Sequence, residues 1–194
     1  SLHQVIGEDG PFPPAEAARI GLDVLAAITA AHRAGVLHRD VKPHNVLIGT
    51  DGRVVLTDFG LAALVSILAE QKSDYIIGTP AYMSPEQGQG ESVDHRTDIY
   101  ALGIILFEML TGQIPHQAGT PMGILIKRTL EPMPSPRTLN PAIPETIEAV
   151  VLKALARKPS NRFDSAQRLA AAFQKELRQA LDGLWTMSTH KDWH

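Results

Sequence analysis

Apolar residues recur at helical spacing along most of the chain. They return every three or four positions from Pro13 to about Arg33, as on the buried face of an amphipathic helix, and Gly35 follows where helices often end. The segment 98–110 is apolar on nearly all sides, which is typical of a helix buried within a domain. Helices are therefore predicted over residues 13–33, 98–110, 122–130, 145–156 and 164–181.

Two short apolar runs interrupt this helical pattern. Residues 46–48 and 53–57 flank the turn sequence Gly-Thr-Asp-Gly, and β-prone runs joined by such a turn predict a hairpin. Pairing the two strands would bring Asn45, which precedes the first, close to Asp58, which follows the second. The predicted fold class is mainly α with a short β-hairpin.

The remaining segments carry weaker signals. Residues 1–10 predict the end of a short helix followed by a turn cluster from Gly7 to Gly10. Residues 61–77 lack periodicity, which predicts a long loop, and long loops in compact domains are often functional. We expect one domain over residues 1–181, with 182–194 left as an unassigned tail because they show no period.

Composition is that of a soluble globular domain. The 194 residues are 44% hydrophobic and 20% charged, ordinary values for one core, and the net charge of −3 gives no reason to expect a nucleic acid or an anionic membrane as partner. The absence of cysteine excludes disulfides and thiolate metal sites. The most apolar run, 99–110, is too short to span a bilayer, so a cytoplasmic location is expected for this chain, although a longer parent protein could carry a membrane anchor.

Polar residues cluster around the predicted hairpin. The sequence HRDVKPHN occupies residues 38–45, and Asp-Phe-Gly occupies 58–60. Further on come GTPAYMSPEQ at 78–87 and DIYALG at 98–103. Four polar side chains near the hairpin could converge on one phosphate and its metal. In this order and spacing the motifs resemble the C-terminal lobe of a eukaryotic-like, bacterial-type Ser/Thr protein kinase, over roughly residues 2–181.

The resemblance implies an enzyme of signal transduction that transfers the γ-phosphate of ATP, with Mg²⁺, to Ser or Thr hydroxyls of protein substrates. It implies the C-terminal lobe of an α+β kinase fold. No Gly-rich nucleotide loop, strand lysine or partner glutamate matches the family pattern in this sequence, so we expect the N-terminal lobe to be absent and the fragment to be inactive alone. A truncated kinase or pseudokinase module that acts as a protein-binding scaffold is the alternative.

The resemblance also implies catalytic roles. Asp40 would accept the proton of the substrate hydroxyl, Lys42 would contact the transferred phosphate, and Asn45 and Asp58 would hold Mg²⁺. Thr79 would hydrogen-bond both Asp40 and Lys42, or is simply a turn threonine. Each residue taken singly fits an ordinary turn or surface position, but their combined spacing favours the catalytic interpretation.

Further residues would complete the nucleotide site and the link between the lobes. Leu47 would lie beneath the adenine, or is a buried strand residue. His38 and Phe59 would belong to an apolar spine that connects the lobes, and Gly60 completes the Asp-Phe-Gly motif. His38 is thus expected to be structural and not a base.

Other residues would stabilise the site or regulate it. Asp98 would accept backbone N–H bonds from the catalytic loop, since a carboxylate in an apolar helix must be satisfied internally. Glu86, in a Ser-Pro-Glu that replaces the family's Ala-Pro-Glu, would form a buried ion pair with Arg162.

Arg39 would pair with a phosphate on the activation segment, which runs from Asp58 to Glu86. Ser73 is the first candidate acceptor of that phosphate and Ser66 the second. A solvated loop serine remains the alternative for both.

Overall fold

A computed structural model of the chain describes residues 1–59 and 80–188, with side chains described as far as residue 179. The strands are β1 (Val46–Ile48) and β2 (Val54–Leu56), and single 3₁₀ turns lie at Pro43–Asn45, Pro136–Thr138 and Pro159–Asn161. The helices are α1 (Leu2–Asp9), α2 (Pro14–Arg33), α3 (Pro85–Gly88), α4 (Arg96–Thr111), α5 (Pro121–Leu130), α6 (Glu145–Ala154) and α7 (Ala166–Ser188). The fold class, mainly α with a short hairpin, is confirmed.

Helix α4 forms the centre of the core. Every residue from Thr97 to Thr111 is buried, as the all-round apolar pattern predicts, and Gly112 ends the helix in the left-handed conformation with φ 73°. Helices α2 and α6 pack against α4, and α7 covers both of them. The core therefore surrounds α4 and supports the loops at its amino end.

The hairpin has the predicted antiparallel pairing. Val46 pairs with Leu56, Leu47 with Val55, and Ile48 with Val54. Val46 and Leu56 are buried, whereas Leu47 and Val55 are 45% and 44% exposed, because alternate residues of a strand face opposite sides. One face of the hairpin therefore packs on the core and the other is uncovered.

Two predicted boundaries are wrong. Helix α1 runs through Gly7 to Asp9, and Gly10, which has φ 77°, follows its end. Burial of Leu2 and Ile6 on one face of the helix outweighs the low helix propensity of glycine. The last helix continues beyond the predicted end at Leu181, to Ser188, since extending an existing helix adds a hydrogen bond for each residue fixed.

In the part of the chain that the structure describes, none of the helices combines the length and the apolarity that a bilayer crossing requires.

A buried ion pair joins α3 to the loop before α7. Arg162 donates from Nη1 to Glu86 Oε1 at 2.6 Å and from Nη2 to Glu86 Oε2 at 2.7 Å. The Thr97 hydroxyl donates to Glu86 Oε1 at 3.0 Å, and Arg162 also donates to the carbonyls of Ala156 and Arg157. Such complete hydrogen bonding offsets the desolvation of the two buried charges.

Removal of Arg162 should strongly destabilise the fold. We expect Arg162→Met to lower the free energy of unfolding by about 3–5 kcal/mol, because it leaves Glu86 buried without its counter-charge. Urea denaturation at pH 7 measures the change. Asp23→Asn is the control, since it breaks a pair with Arg19 whose side chains are 46% and 49% exposed, and it should change stability by no more than about 0.5 kcal/mol. A similar, small effect of both substitutions would contradict the prediction.

The ion pair should also make stability depend on pH. Burial opposes ionisation of Glu86, but hydrogen bonds and charge from Arg162 hold its pKa below the ordinary 4.5. A carboxyl whose pKa is lower in the folded state stabilises the fold above its unfolded pKa and loses that contribution as the pH falls through the folded pKa. The stability difference between the wild type and Glu86→Gln should therefore shrink below about pH 4.5. Urea midpoints from pH 7 to acid pH measure it; a constant difference would refute the assignment.

Close helix packing should make one glycine sensitive to a single methyl group. A Cβ on Gly103 of α4 would lie 2.9 Å from Leu155 Cδ2 and 3.2 Å from Ala154 Cβ, whereas a Cβ on Gly7 of α1 meets nothing within 4 Å. We expect Gly103→Ala to destabilise the fold, because overpacking costs about 1–3 kcal/mol. Gly7→Ala is the matched control and should stabilise by about 0.5–1 kcal/mol. Urea midpoints in the reverse order would be inconsistent with this packing.

Candidate active site

Asp98 holds the start of the loop at residues 38–45. Its carboxylate lies in the first turn of α4, 1% exposed, and accepts backbone N–H bonds from His38 at 2.9 Å and from Arg39 at 2.8 Å. His32 Nε2 lies 2.8 Å from the same carboxylate. Arg39 has φ 65°, a left-handed conformation that non-glycine residues rarely adopt. The two carboxylate oxygens thus hold a strained turn in place.

Three side chains converge just after this turn. Lys42 Nζ donates to Asp40 Oδ2 at 2.6 Å. Asn45 Nδ2 donates to the Asp40 backbone oxygen at 2.9 Å and lies 3.4 Å from Asp40 Oδ2. These contacts orient the Asn45 amide, whose oxygen accepts no hydrogen bond from the described residues. A carboxylate, an ammonium group and a free amide oxygen therefore share one short loop.

The hairpin brings Asp58 to the same place. Thr57 donates from its backbone nitrogen to the Asn45 backbone oxygen at 2.9 Å, and its hydroxyl donates to the same backbone oxygen at 3.2 Å. The Thr57 hydroxyl also lies 3.4 Å from Asp58 Oδ2. Asp58 is exposed and has φ 65°. The juxtaposition of Asn45 and Asp58 predicted from the hairpin is thus present in the structure.

These oxygens fit a magnesium ion better than a softer metal. Mg²⁺ takes oxygen ligands and usually keeps several waters or phosphate oxygens, so it needs only one or two protein carboxylates. Asn45 Oδ1 and the exposed Asp58 carboxylate meet that requirement. Within residues 1–59 and 80–188, no group of three or more His, Cys, Asp or Glu side chains could hold a metal by itself. Asn45 and Asp58 are therefore the residues of this site that suit a metal shared with a phosphate.

His38 and Phe59 lie against each other beneath the loop. Their ring centroids are 4.6 Å apart, and the buried His38 places Nε2 2.8 Å from the Thr57 backbone oxygen. His38 is thus a packed, hydrogen-bonded residue. Leu47 lies on the uncovered face of the hairpin, and its 45% exposure shows that its interpretation as a buried strand residue is wrong. That exposed face leaves room for a ligand such as the predicted adenine.

Two imidazole rings flank the loop on its exposed side. His44 stacks on His3 of α1 with ring centroids 3.9 Å apart. Burial, and then the nearby charges of His3 and Lys42, lower the pKa of His44. The uncharged form of His44 is thereby favoured next to Lys42.

Several predicted residues cannot be placed. Gly60, Thr79, Ser66 and Ser73 lie outside the described residues, so their roles stay predictions. Arg39 is half-buried, and its pairing with a phosphate also stays a prediction.

Two residues that sequence reasoning missed hold residues 80–88 in place. Gln87 donates from Nε2 to the Arg39 backbone oxygen at 2.9 Å and accepts from the Ser84 backbone nitrogen at 3.0 Å. The Ser-x-x-Gln capping box could have located the start of α3, but not its contact with Arg39. Arg128 of α5 donates to the carbonyls of Pro80 and Ala81. It had no sequence signal beyond its place in a short helix.

Near these residues, a tyrosine and a carboxyl group share a buried hydrogen bond. Tyr82 donates from its hydroxyl to Glu108 Oε2 at 2.8 Å. Burial raises the pKa of both groups, so the tyrosine hydroxyl is protonated and available as a donor at neutral pH.

Comparisons with known proteins identify the family. The model described as the protein kinase domain matches residues 1–174. The chain is 39% identical over 182 residues to the serine/threonine-protein kinase PrkC of Bacillus subtilis, an alignment that covers 94% of this chain and 28% of that protein. It is 40% identical over 169 residues to a probable serine/threonine-protein kinase PknB of Lactococcus lactis, with coverage of 87% and 27%.

A third relative agrees with these two. The chain is 38% identical over 172 residues to the serine/threonine-protein kinase PknB of Mycobacterium leprae, covering 88% of this chain and 28% of that protein. The chain thus spans little more than a quarter of the length of these relatives. Because the family model covers most of the chain, and the motifs at 38–45, 58–60 and 98–103 lie within the match, the chain belongs to the protein kinase family.

Proposed function

We propose that this chain supplies the catalytic and substrate-binding half of an ATP-dependent Ser/Thr protein kinase. The observation that carries the proposal is the convergence of Asp40, Lys42 and Asn45, with Lys42 Nζ 2.6 Å from Asp40 Oδ2 and Asn45 Nδ2 2.9 Å from the Asp40 backbone oxygen. The printed names of the relatives, all serine/threonine-protein kinases, support the same class of reaction.

In this proposal Asp40 receives the proton of a substrate Ser or Thr hydroxyl. The hydroxyl oxygen then bonds to the γ-phosphorus of ATP as the bond between that phosphorus and the ADP oxygen breaks. Phosphoryl transfer depends mainly on positioning and charge neutralisation, which the rigid loop supplies. Lys42 carries three N–H donors, so it can hold Asp40 with one and still reach oxygens of the transferred group. Thr79 would steady Asp40 and Lys42.

Asn45 and Asp58 would hold Mg²⁺, which when bound would neutralise negative charge on the nucleotide phosphates. The amide oxygen of Asn45 is oriented by the bond from Nδ2 to Asp40, so the proton acceptor and the metal ligand are positioned by one contact. A disturbance of Asn45 should therefore affect both.

The scaffold alternative predicts the same fold without the reaction. Filled positions at Asp40, Lys42, Asn45 and Asp58 favour the enzyme over a degenerate pseudokinase. A Gly-rich loop and a strand lysine, which the family uses to hold ATP, are not found in these 194 residues. We therefore propose that catalysis needs an N-terminal lobe and that this chain alone transfers phosphate negligibly.

The chain alone should be inactive. With Mg-ATP carrying a radiolabelled γ-phosphate and a generic basic protein as acceptor, we expect incorporation no higher than in a reaction without the chain. The reason is that this chain lacks the Gly-rich loop and the strand lysine that would hold the β- and γ-phosphates of ATP. Turnover within the usual kinase range of about 1–100 s⁻¹ would contradict this.

Two substitutions separate the proton acceptor from the metal ligand in a longer, active form of the protein. Asp40→Asn should lower kcat about 10²–10⁴-fold, as loss of a general base does, without changing the Mg²⁺ concentration required. Asp58→Asn should also lower kcat and should raise that concentration. Steady-state kinetics over a Mg²⁺ series measures both effects.

Asp51→Asn is the control for this experiment, because Asp51 lies in the exposed hairpin turn and should leave kcat unchanged. Full activity of Asp58→Asn would eliminate the metal role, and full activity of Asp40→Asn would eliminate the proton role. An upstream reading frame without a Gly-rich loop and a strand lysine would favour the scaffold.

A further inference from the structure

The peptide group that links Arg39 to Asp40 is hydrogen-bonded on both edges. Its carbonyl oxygen, from Arg39, accepts from Gln87 Nε2 at 2.9 Å. Its N–H, from Asp40, donates to His38 Nδ1 at 3.3 Å. Because Asp40 Cα is bonded directly to this peptide nitrogen, rotation of the peptide would move the Asp40 carboxylate. The contact with Gln87 comes from outside the loop, so it can fix the peptide relative to another element.

Arg39 depends on such contacts because its backbone is strained. It has φ 65°, and a non-glycine residue keeps this conformation only where its surroundings hold it. Its N–H donates to Asp98 Oδ1 at 2.8 Å, while its carbonyl accepts from Gln87. Side chains from two helices, α4 and α3, therefore hold the two polar backbone groups of one strained residue.

The orientation of the Gln87 amide is determined by its partners. Oε1 accepts from the Ser84 backbone nitrogen at 3.0 Å, which requires an oxygen on that side of the amide. The Arg39 carbonyl on the other side can only accept, which requires the NH₂ group. The capping box of α3, formed by Ser84 and Gln87, thus orients the amide that holds the loop.

Helix α3 is itself bonded to the turn of α4 that carries Asp98. The Thr97 hydroxyl donates to Glu86 Oε1 at 3.0 Å and lies 3.3 Å from Ser84 Oγ. The first turn of α4 therefore holds α3 through Thr97 and the loop through Asp98, and Gln87 joins α3 to the loop directly. Because these contacts form a closed set, a shift of α3 would disturb its bond to the loop.

We propose that Gln87 is a positioning residue for Asp40. Its Nε2 bond to the Arg39 carbonyl fixes the peptide that precedes Asp40, and with it the carboxylate that receives the substrate proton. This inference rests on the role proposed above for Asp40. Catalysis then requires α3 to be bound to α4, although no residue of α3 contacts the reacting atoms.

Substitution by glutamate separates the two bonds of this side chain. In Gln87→Glu a carboxylate oxygen still accepts from the Ser84 N–H, since glutamate also serves in capping boxes, but it has no hydrogen to donate to Arg39. Gln87→Met removes both bonds at similar volume. Gln89→Glu is the matched control, because it makes the same change of charge at an exposed position just after α3.

Amide NMR of the 194-residue chain tests the contact without requiring activity. In Gln87→Glu we expect the Arg39 carbonyl-carbon and Asp40 amide signals to shift. The Asp40 amide should exchange with solvent about tenfold faster, as loss of one hydrogen bond predicts, whereas exchange of the Ser84 amide should not change. In Gln87→Met the Ser84 amide should also exchange faster, and Gln89→Glu should leave all these signals as in the wild type.

Steady-state kinetics of a longer, active form measures the consequence for Asp40. Gln87→Glu should lower kcat about 10–100-fold, since small misplacements of a reacting group have effects of this order. The KM for Mg-ATP should stay within about twofold of the wild type, because the nucleotide contacts are retained. A capping role alone would make Gln87→Met the more damaging substitution. The positioning role instead predicts that Gln87→Glu loses at least as much kcat as Gln87→Met while it keeps the higher thermal unfolding midpoint.

Two results would overturn the inference. The first is a Gln87→Glu variant whose Arg39 and Asp40 signals match the wild type. The second is wild-type kcat for Gln87→Glu in a protein that Asp40→Asn inactivates, in which case Gln87 has no positioning role although Asp40 keeps its own. Full activity of Asp40→Asn would instead overturn the proposed function, and the inference with it.

Discussion

The carboxylate of Asp98 is the contact on which the arrangement of this site depends. It is the one acidic group in the first turn of a helix that is buried on all sides, and its desolvation is offset by bonds from His38 and Arg39 and by the contact with His32. Those bonds fix the loop that carries Asp40 relative to the core. Every residue of α4 from Thr97 to Thr111 is buried, so the loop that is hydrogen-bonded to Asp98 is held in a fixed position relative to the core.

Two arginines hold residues 80–88 against the helical core, as Asp98 holds the loop that carries Asp40. Arg162 holds Glu86 by two parallel bonds, and Arg128 holds backbone carbonyls of residues 80–83. The first is paired with a carboxylate, while the second is surrounded by neutral acceptors. One end of this segment is therefore held by an ion pair, and the other by hydrogen bonds from Arg128 to neutral carbonyl groups. Among the described residues, the buried charge of Arg128 has no carboxylate partner.

Sequence patterns predicted the hairpin and α4, whose formation depends mainly on residues close together in the chain. The Gly-Thr-Asp-Gly turn and the two short apolar runs beside it were enough to predict the hairpin, and the hairpin was enough to bring Asn45 near Asp58. The all-round apolar run likewise revealed α4. In contrast, the partners of Gln87 and Arg128 are backbone oxygens, which no sequence pattern marks. The helical state of Gly7 depends on burial of Leu2 and Ile6, which becomes visible only once α1 is packed.

The left-handed backbone at Arg39 and Asp58 restricts which sequences this loop can accept. Both residues have φ 65°, a region that glycine enters freely, that asparagine and aspartate tolerate, and that β-branched residues avoid. The backbone conformation at these two positions therefore limits which residues can replace them, independently of any chemical role of the side chain. Valine or isoleucine would be excluded even if the side chain had no role, whereas asparagine could preserve the shape of the loop in a protein that had lost the reaction.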